Sequence, residues 1–254
     1  MKEQRPKYLF YATLLDSFQG FLGSSEIYQK YWGFSEDPPK SEFEFEQEQF
    51  QSLIDRINRV PIDSEPADRG TCFNEIIDCL IEGRKSDKVE LISNREADSI
   101  LAKYNNREFV FSLSSCRKIA KSYKGAIPQV LTKALLETKY GLVELYGYID
   151  ELMPTSIVDI KVKGKYEAFS FKNNWQHRVY PFCLQQEGAS LSDFFYDIYV
   201  LDKNNQIREK HNEFYSFVPE RDIPALTAHS EGLVELIEAN RHLITDKKIF
   251  NEHQ

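Results

Sequence analysis

Apolar residues recur at three- and four-residue spacing over much of the first part of the chain, which is the period of an amphipathic helix. In residues 8–31 this stripe is interrupted by Gly20 and Gly23, so the segment is predicted to form one or two short helices. Residues 46–58 carry a continuous stripe that stops before Pro61 and predict a further helix. The amino-terminal part of the chain is therefore expected to be helical.

A polar segment, residues 63–69, is predicted to be a linker that leads into the next helix. That helix is expected over residues 70–81, with Asp68 or Thr71 as its amino-terminal cap. Residues 83–106 follow with little periodic signal.

The period changes in the second half of the chain. Residues 109–123 still predict a helix, which Gly125 ends. Alternation with a period of two then predicts strands. The predicted strands are residues 130–138, 142–149 and 157–162. Because they follow one another after short turns, an antiparallel meander is expected.

The remaining segments alternate between the two periods. Residues 166–184 predict a helix that Pro181 must bend or end. Residues 194–201 and 213–218 predict strands, and Pro219 opens a last helix. No internal repeat or clear boundary divides residues 1–254, so a single domain of the α/β class is expected, with an α+β mixed sheet flanked by helices.

Composition and charge limit the classes to which this protein can belong. The chain of 254 residues has 41% hydrophobic residues, enough for a globular core, and a formal net charge of −8. No apolar run approaches membrane-spanning length and no cleavable leader is recognised, so a cytoplasmic protein without a membrane partner is expected. The acidic balance argues against a surface coated with nucleic acid. A local basic groove is still expected where Lys161, Lys163, Lys165, Lys172 and Arg178 crowd together.

Cysteine and histidine spacing gives no sign of a zinc or iron–sulfur site. Cys72, Cys79, Cys116 and Cys183 show neither paired spacing nor clustering, and the five histidines show no H-x-x-x-H arrangement. Free thiols in a reducing compartment are expected instead.

Two acids and a lysine between residues 150 and 161 carry the strongest chemical signal. Asp150 stands at the predicted end of one strand, while Asp159 and Lys161 alternate on the next and therefore share a face. Two carboxylates and the carbonyl oxygen of Ile160 suit a hard divalent cation such as Mg²⁺. A neighbouring ammonium could orient a water or neutralise charge on a phosphate. The pattern predicts the site of a metal-dependent phosphodiesterase.

Each motif alone has a simpler explanation. A Gly-x-x-Asp is commonly turn chemistry, and an Asp-x-Lys on a strand is commonly an exposed cross-strand pair. On that explanation the chain would be a structural or interaction protein. The nuclease interpretation gains weight because both motifs precede a helix that carries Gln176 and Tyr180 four residues apart.

In this order the motifs resemble those of the PD-(D/E)XK nuclease superfamily, in particular its RecB-like and phage-exonuclease branch. That branch has a Gly-x-x-x-His or Gly-x-x-x-Glu helix, a Gly-x-x-Asp strand, an Asp-x-Lys strand and a Gln-x-x-x-Tyr helix. The corresponding pieces here are residues 70–74, 147–150, 159–161 and 176–180. The resemblance implies a restriction-endonuclease-like core over residues 70–218, with a helical segment (1–69) before it and a helix (219–254) after it.

The resemblance also implies roles for the motif residues. Asp150 and Asp159 would bind Mg²⁺ or Mn²⁺ together with the carbonyl of Ile160. Lys161 would position the water or stabilise charge on the phosphate. The residues Gln176 and Tyr180 would contact DNA or brace the site.

One position departs from the family pattern. Where relatives carry His or Glu, this chain has Asn74, which offers an amide oxygen but no charge. Glu75 and Asp78 are alternatives for that role: Asp78 lies one turn further on the same helix face, whereas Glu75 is turned by about 100°. Asn74 is placed narrowly ahead of Glu75. A milder departure is Val162, where many relatives carry Thr.

Aromatic residues after the lysine motif are candidates for stacking on bases. They are Tyr166, Phe169, Phe171, Trp175 and Tyr180. Because an aromatic stripe on a helix usually belongs to the core, only Tyr180 and Trp175 are retained as stacking candidates.

Two functional hypotheses follow from the resemblance. The first is a Mg²⁺-dependent deoxyribonuclease, foremost an exonuclease, that hydrolyses phosphodiesters to a 5′-phosphate and a 3′-hydroxyl during phage or mobile-element recombination and repair. A recombination partner protein and a homo-oligomer are compatible with it, and exonuclease and endonuclease action both stay open. The second is a nuclease-fold protein that binds nucleic acid or a partner without cleavage, suggested by Asn74 and the acidic net charge.

Overall fold

The computed structural model describes residues 5–251 and has a mixed α+β fold, as predicted. The helices are α1 (Ala12–Leu22), α2 (Ser24–Trp32), α3 (Glu42–Ile57), α4 (Glu65–Glu82), α5 (Leu113–Ser122), α6 (Gln176–Gln186) and α7 (Pro219–Ala239), followed by 3-10 turns at Arg241–Leu243 and Lys247–Phe250. The strands are β1 (Tyr8–Tyr11), β2 (Glu90–Asn94), β3 (Ser99–Tyr104), β4 (Arg107–Ser112), β5 (Ile127–Thr138), β6 (Gly141–Leu152), β7 (Ile157–Lys163), β8 (Asp193–Leu201) and β9 (Ile207–Ser216).

The central sheet has six strands, in the order β1-β6-β7-β8-β9 with β5 paired to β6. Strand β5 runs antiparallel along the whole of β6. On the opposite edge of β6, β1 pairs in parallel as far as Tyr146, and β7 pairs only with Glu151 and Leu152. Residues 147–150 therefore lie between two partners on that edge without pairing to either. We call this stretch of β6 the sheet fork.

Both faces of the central sheet are covered. One face packs against α1, α3, α6 and α7, with Leu14, Ile54, Val179 and Leu233 in its core. The other face packs against α4, α5 and a separate antiparallel sheet of β2, β3 and β4. Strand β7 contributes to both cores because its side chains alternate between the two faces.

The predicted meander and the helix at residues 46–58 are confirmed. Strands β5, β6 and β7 are antiparallel neighbours. Helix α3 begins four residues earlier than predicted, at Glu42, because Ser41 and Glu44 form a capping box.

The predicted linker at residues 63–69 is wrong. Helix α4 already begins at Glu65, where the Ser64 hydroxyl accepts a hydrogen bond from the backbone N–H of Ala67. Pro66 is compatible with this start because the first helical turn does not need its N–H. Neither Asp68 nor Thr71 is the cap, since both lie inside the helix.

Two short strands were missed where the sequence suggested helices. Residues 8–11 form β1 in the central sheet, so the amino-terminal segment is not purely helical. Residues 109–112 belong to β4, in which Phe109 and Phe111 alternate into the core beneath α4. Helix α5 begins only at Leu113, after Ser112 has capped it.

The helix predicted over residues 166–184 begins only at Gln176. Residues 164–175 form turns, and Pro181 lies inside α6 rather than ending it. Strand β9 begins at Ile207, before the predicted residue 213. Within residues 5–251, none of the helices combines the length and the apolar character needed to cross a membrane.

Candidate active site at the sheet fork

Asp150 lies at the sheet fork, one residue before β6 begins to pair with β7. The prediction that Asp150 ends its strand is wrong, since β6 continues to Leu152. The Oδ2 atom of Asp150 accepts a hydrogen bond from the backbone N–H of Ile160 at 2.8 Å and a longer one from Nδ2 of Asn74 at 3.3 Å. The carboxylate thus takes the place of a missing strand partner and links β6, β7 and α4.

Asp159 and Lys161 share one face of β7, as predicted, and Gln176 on α6 joins them. The Lys161 ammonium lies 2.6 Å from Oδ2 of Asp159 and donates to Oε1 of Gln176 at 2.9 Å. The Gln176 Nε2 donates to Oδ1 of Asp159 at 2.8 Å. Because both ends of the amide are used, the three side chains fix one another's orientation.

Tyr180 braces this group from beneath. Its hydroxyl accepts a hydrogen bond from Nε2 of Gln176 at 3.2 Å, and only 3% of the residue is exposed. The ring rests on the backbone of Gly147: a Cβ atom there would lie 2.6 Å from Cε1 of Tyr180. The Gly-x-x-Asp and Gln-x-x-x-Tyr motifs therefore meet in space at the sheet fork.

The three candidates on α4 have different environments. The Asn74 amide reaches Asp150, and its buried Oδ1 has no hydrogen-bond partner among the described residues. The Glu75 carboxylate is buried against Arg84, 2.6 Å from Nη1. Asp78 is buried, and its Oδ1 has no hydrogen-bond partner among the described residues. Of the three, Asn74 is the one in contact with the residues of β6 and β7.

The electrostatics of the site depend on its burial. Burial, and then the neighbouring Asp159 carboxylate, raise the pKa of Asp150 well above its ordinary range. Burial lowers the pKa of Lys161, but the carboxylates of Asp159 and Asp150 outweigh it and the net pKa is raised. Lys161 therefore stays protonated near neutral pH, and an extra positive charge at Asp150 would be favourable.

Asp16 on α1 is a neighbour of the site that the sequence analysis missed. Its Oδ1 accepts a hydrogen bond from the backbone N–H of Trp175 at 2.5 Å, at the start of α6. Trp175 itself provides no side-chain cap for that helix. Burial raises the pKa of Asp16 to about 6. Asp16 thus holds the first turn of α6, which carries Gln176.

A second missed feature is a buried pair of acids behind the site. Both residues are buried, and neither Oδ1 of Asp78 nor either carboxylate oxygen of Glu151 has a hydrogen-bond partner among the described residues. Burial raises the pKa of Glu151 to about 9 and that of Asp78 to about 6. Gln129, the third residue of β5, has a left-handed backbone with φ of 53° and is skipped in the pairing of β5 with β6. Such strain is concentrated at functional sites.

The side chains at the fork offer oxygen atoms of the kind that a hard cation binds. Within residues 5–251, no group of three or more His, Cys, Asp and Glu side chains is placed to hold a metal ion. The set predicted from the sequence has two acids, and its third side-chain ligand is the amide oxygen of Asn74. The unpartnered Oδ1 of Asn74 fits that role because a buried polar oxygen without a partner is costly.

Three of the aromatic residues occupy the opposite environments to those predicted, whereas Phe171, which was assigned to the core, is buried as expected. Trp175 is buried and stacks on His229 at 3.9 Å, and Tyr180 is buried beneath the site. Neither ring is free to stack on a base. Phe169, which the sequence analysis set aside as core, is 70% exposed. No sequence signal distinguishes these rings, because the helix assumed for residues 166–184 does not begin until Gln176.

No family model and no curated protein matches the chain. Among solved structures, the chain is similar to one described as the crystal structure of SSO0001. The alignment covers 92% of this chain and 79% of that one, with 10% sequence identity and a TM-score of 0.44. A likeness at this level carries no argument about function.

Proposed function

We propose that the protein is a metal-dependent deoxyribonuclease of the PD-(D/E)XK kind. The observation that carries the proposal is the sheet fork, where the Asp150 carboxylate bonds to the backbone between Asp159 and Lys161. Two separate strands thereby bring two acids and a protonated lysine to one place. A turn or an exposed cross-strand pair requires no such convergence, and it would not bury Asp159 to 2% exposure.

The ligands for Mg²⁺ or Mn²⁺ would be the carboxylates of Asp150 and Asp159, the amide oxygen of Asn74 and the carbonyl of Ile160. When bound, such an ion lowers the pKa of a water ligand and stabilises charge on a phosphate. It would also relieve the repulsion between Asp150 and Asp159 that contributes to the raised pKa of Asp150.

The side chains of the protein itself would bind the phosphate and orient the attacking water. Lys161 keeps a positive charge beside the acids, where it can hold a phosphate oxygen or the attacking water. Gln176 restricts the ammonium to one position through its hydrogen bond. Tyr180 and Asp16 act indirectly, because one supports the Gln176 side chain and the other holds the start of α6.

The distribution of charge supports a nucleic-acid substrate. Residues 161–172 contain four lysines and one glutamate, although the whole chain carries a formal net charge of −8. A local positive surface attracts the phosphate backbone even on an acidic protein. Exonuclease action on DNA, a role in phage or mobile-element recombination, a partner protein and a homo-oligomer are proposed from the resemblance alone. A cytoplasmic location accords with four buried cysteines that are all free.

The second candidate function is nucleic-acid binding without cleavage. It is favoured by Asn74, since a neutral amide in place of an acid or imidazole lowers the attraction for a divalent cation. One assay separates the two: linear double- and single-stranded DNA incubated with Mg²⁺ or Mn²⁺, with Asp159→Asn and Lys161→Ala as comparison. Cleavage by the wild type alone supports the nuclease. Salt-sensitive binding by all three proteins without cleavage supports the second function instead.

A further inference from the structure

Phe169 is an exposed aromatic residue held in a strained backbone conformation. It lies in residues 164–175, between β7 and α6, with φ of 60°. A bulky side chain rarely adopts the left-handed region, which costs of the order of 1–3 kcal/mol. The ring gains little from burial here, since the residue is 70% exposed. Neither local conformation nor core packing accounts for phenylalanine at this position.

The segment around Phe169 is held in place by one buried carboxylate. Glu213 on β9 accepts hydrogen bonds from the Tyr166 hydroxyl at 2.8 Å, the backbone N–H of Phe171 at 3.3 Å and the Tyr215 hydroxyl at 2.5 Å. The turn is therefore fixed on both sides of Phe169, and its ring is presented from a rigid support.

The surroundings of the ring are positively charged. Lys165 and Lys172 are exposed on the same segment, and Lys163, the last residue of β7, is also exposed but has its ammonium 5.3 Å from the centre of the Phe171 ring. The one acid of the segment, Glu167, is paired with Lys30 of α2 at 3.0 Å. An exposed aromatic ring with lysines on either side of it in the chain is the combination that binds single-stranded nucleic acid, through stacking on bases and contacts with phosphates.

The segment leads directly from the candidate active site. Phe171, two residues after Phe169, stacks on Tyr196 at 4.8 Å. The Tyr196 ring lies 5.6 Å from the Lys161 ammonium. Phe169 thus projects from a turn whose buried end packs beside the catalytic lysine.

We propose that Phe169 is a stacking platform for an unpaired base of the DNA, with Lys165 and Lys172 holding the phosphates on either side. The proposal rests on the proposed function, because it places the unpaired strand beside Lys161. It also assigns a substrate class: a single strand or a frayed duplex end, rather than an intact duplex interior.

The test is binding of a single-stranded oligonucleotide that contains 2-aminopurine, whose fluorescence falls when the base stacks. The full chain is used in EDTA, so that binding is measured without cleavage. Phe169→Ala is expected to weaken binding by roughly 5- to 100-fold and to abolish the quenching. Phe169→Tyr should keep both properties. Phe169→Asn should behave like the alanine variant, because asparagine tolerates the left-handed backbone but has no ring.

Phe43→Ala is the matched control, since Phe43 on α3 is 69% exposed. It should bind as the wild type does. Wild-type affinity and quenching in Phe169→Ala and Phe169→Asn would overturn the proposal, as would a wild type that fails to bind single strands. Cleavage is measured in a separate assay. If the wild type cleaves DNA and Phe169→Ala binds single strands as well as the wild type does, only the proposed role of Phe169 is refuted. If the wild type does not cleave DNA but quenches 2-aminopurine fluorescence in a way that depends on Phe169, only the proposed nuclease function is refuted.

Discussion

The ring of Tyr180 lies directly on the backbone of Gly147, so that a Cβ at residue 147 would come within 2.6 Å of Cε1 and 3.1 Å of the hydroxyl oxygen. This contact joins α6 to the sheet fork three residues before Asp150. It explains why a glycine stands in the middle of a strand, where it is otherwise unfavourable. The orientation of Gln176, and through it Lys161, depends on the position of that ring.

Gly147→Ala is expected to displace the Tyr180 ring and to lower both stability and activity. The free energy of unfolding should fall by about 1–3 kcal/mol, the usual effect of overpacking a core. Urea denaturation and cleavage rate measure the two effects. The control is Gly70→Ala on α4, where no atom lies within 4 Å of the new Cβ. That change should stabilise the helix by roughly 0.5–1 kcal/mol. Equal stability of the two variants would contradict the packing described.

Asn74→Glu should tighten Mg²⁺ binding, because it adds a negative charge next to Asp150. We expect at least about a tenfold lower dissociation constant, which corresponds to ~1.4 kcal/mol. Calorimetric titration of the metal checks it. Ala67→Glu, at an exposed position about two turns before Asn74 on the same helix, adds the same charge farther from the fork and should change the affinity little. If both variants bind alike, Asn74 does not face the ion.

The raised pKa values of Asp150 and Glu151 predict that the metal-free protein becomes less stable as pH rises. In the unfolded chain these carboxyls lose their protons near pH 4, whereas in the folded protein they keep them to higher pH. The folded state binds more protons over that window, so the free energy of unfolding falls from about pH 4 upwards. The melting temperature in EDTA should be lower at pH 8 than at pH 6.

Mg²⁺ should reverse part of that loss, and its stabilising effect should be larger at pH 8, since it displaces the proton from Asp150. Each kcal/mol corresponds to roughly 2–4 °C for a chain of this size. Asp150→Asn and Glu151→Gln should each flatten the pH profile in EDTA, but only Asp150→Asn should remove the effect of Mg²⁺. A melting temperature independent of pH would argue against burial of these acids.

Asp16→Ala should loosen the start of α6, because it removes the acceptor for the Trp175 N–H. A lost cap costs about 0.5–2 kcal/mol. The rate constant for cleavage should fall together with the stability, because Gln176, which orients Lys161, directly follows Trp175 in the chain. Asp16→Asn keeps an oxygen acceptor and should be milder in denaturation and kinetics. An inactive but fully stable Asp16→Asn would instead assign the charge itself a role.

The sequence predicted Asp150, Asp159 and Lys161 as neighbours because strand order and alternation fix which face each occupies, whereas Gln176 was placed with them only by the family resemblance. The helix at residues 46–58 and the meander were predictable for the same reason: their periodicity is long and regular. Strands β1 and β4 were not, because short strands stabilised by partners remote in sequence leave little periodic signal.

Residues that act through tertiary contacts leave no recognisable pattern in the sequence. Asp16 reaches α6 from a helix 159 residues earlier in the chain. Glu151 follows Asp150 directly, yet the effect of the Asp78 carboxylate on its pKa depends on how α4 packs. The exposure of Phe169 follows from a turn held by Glu213, which no local spacing announces.

The central claim is tested most directly by the single-turnover cleavage rate of end-labelled linear DNA at saturating Mg²⁺, for the wild type, Asp159→Asn and Lys161→Ala. The account predicts cleavage to 5′-phosphate ends by the wild type, and a loss of roughly 10²–10³-fold or more in each variant whose thermal unfolding remains cooperative. Equal rates for the wild type and both variants, or no cleavage by any of them with Mg²⁺ or Mn²⁺, would contradict it.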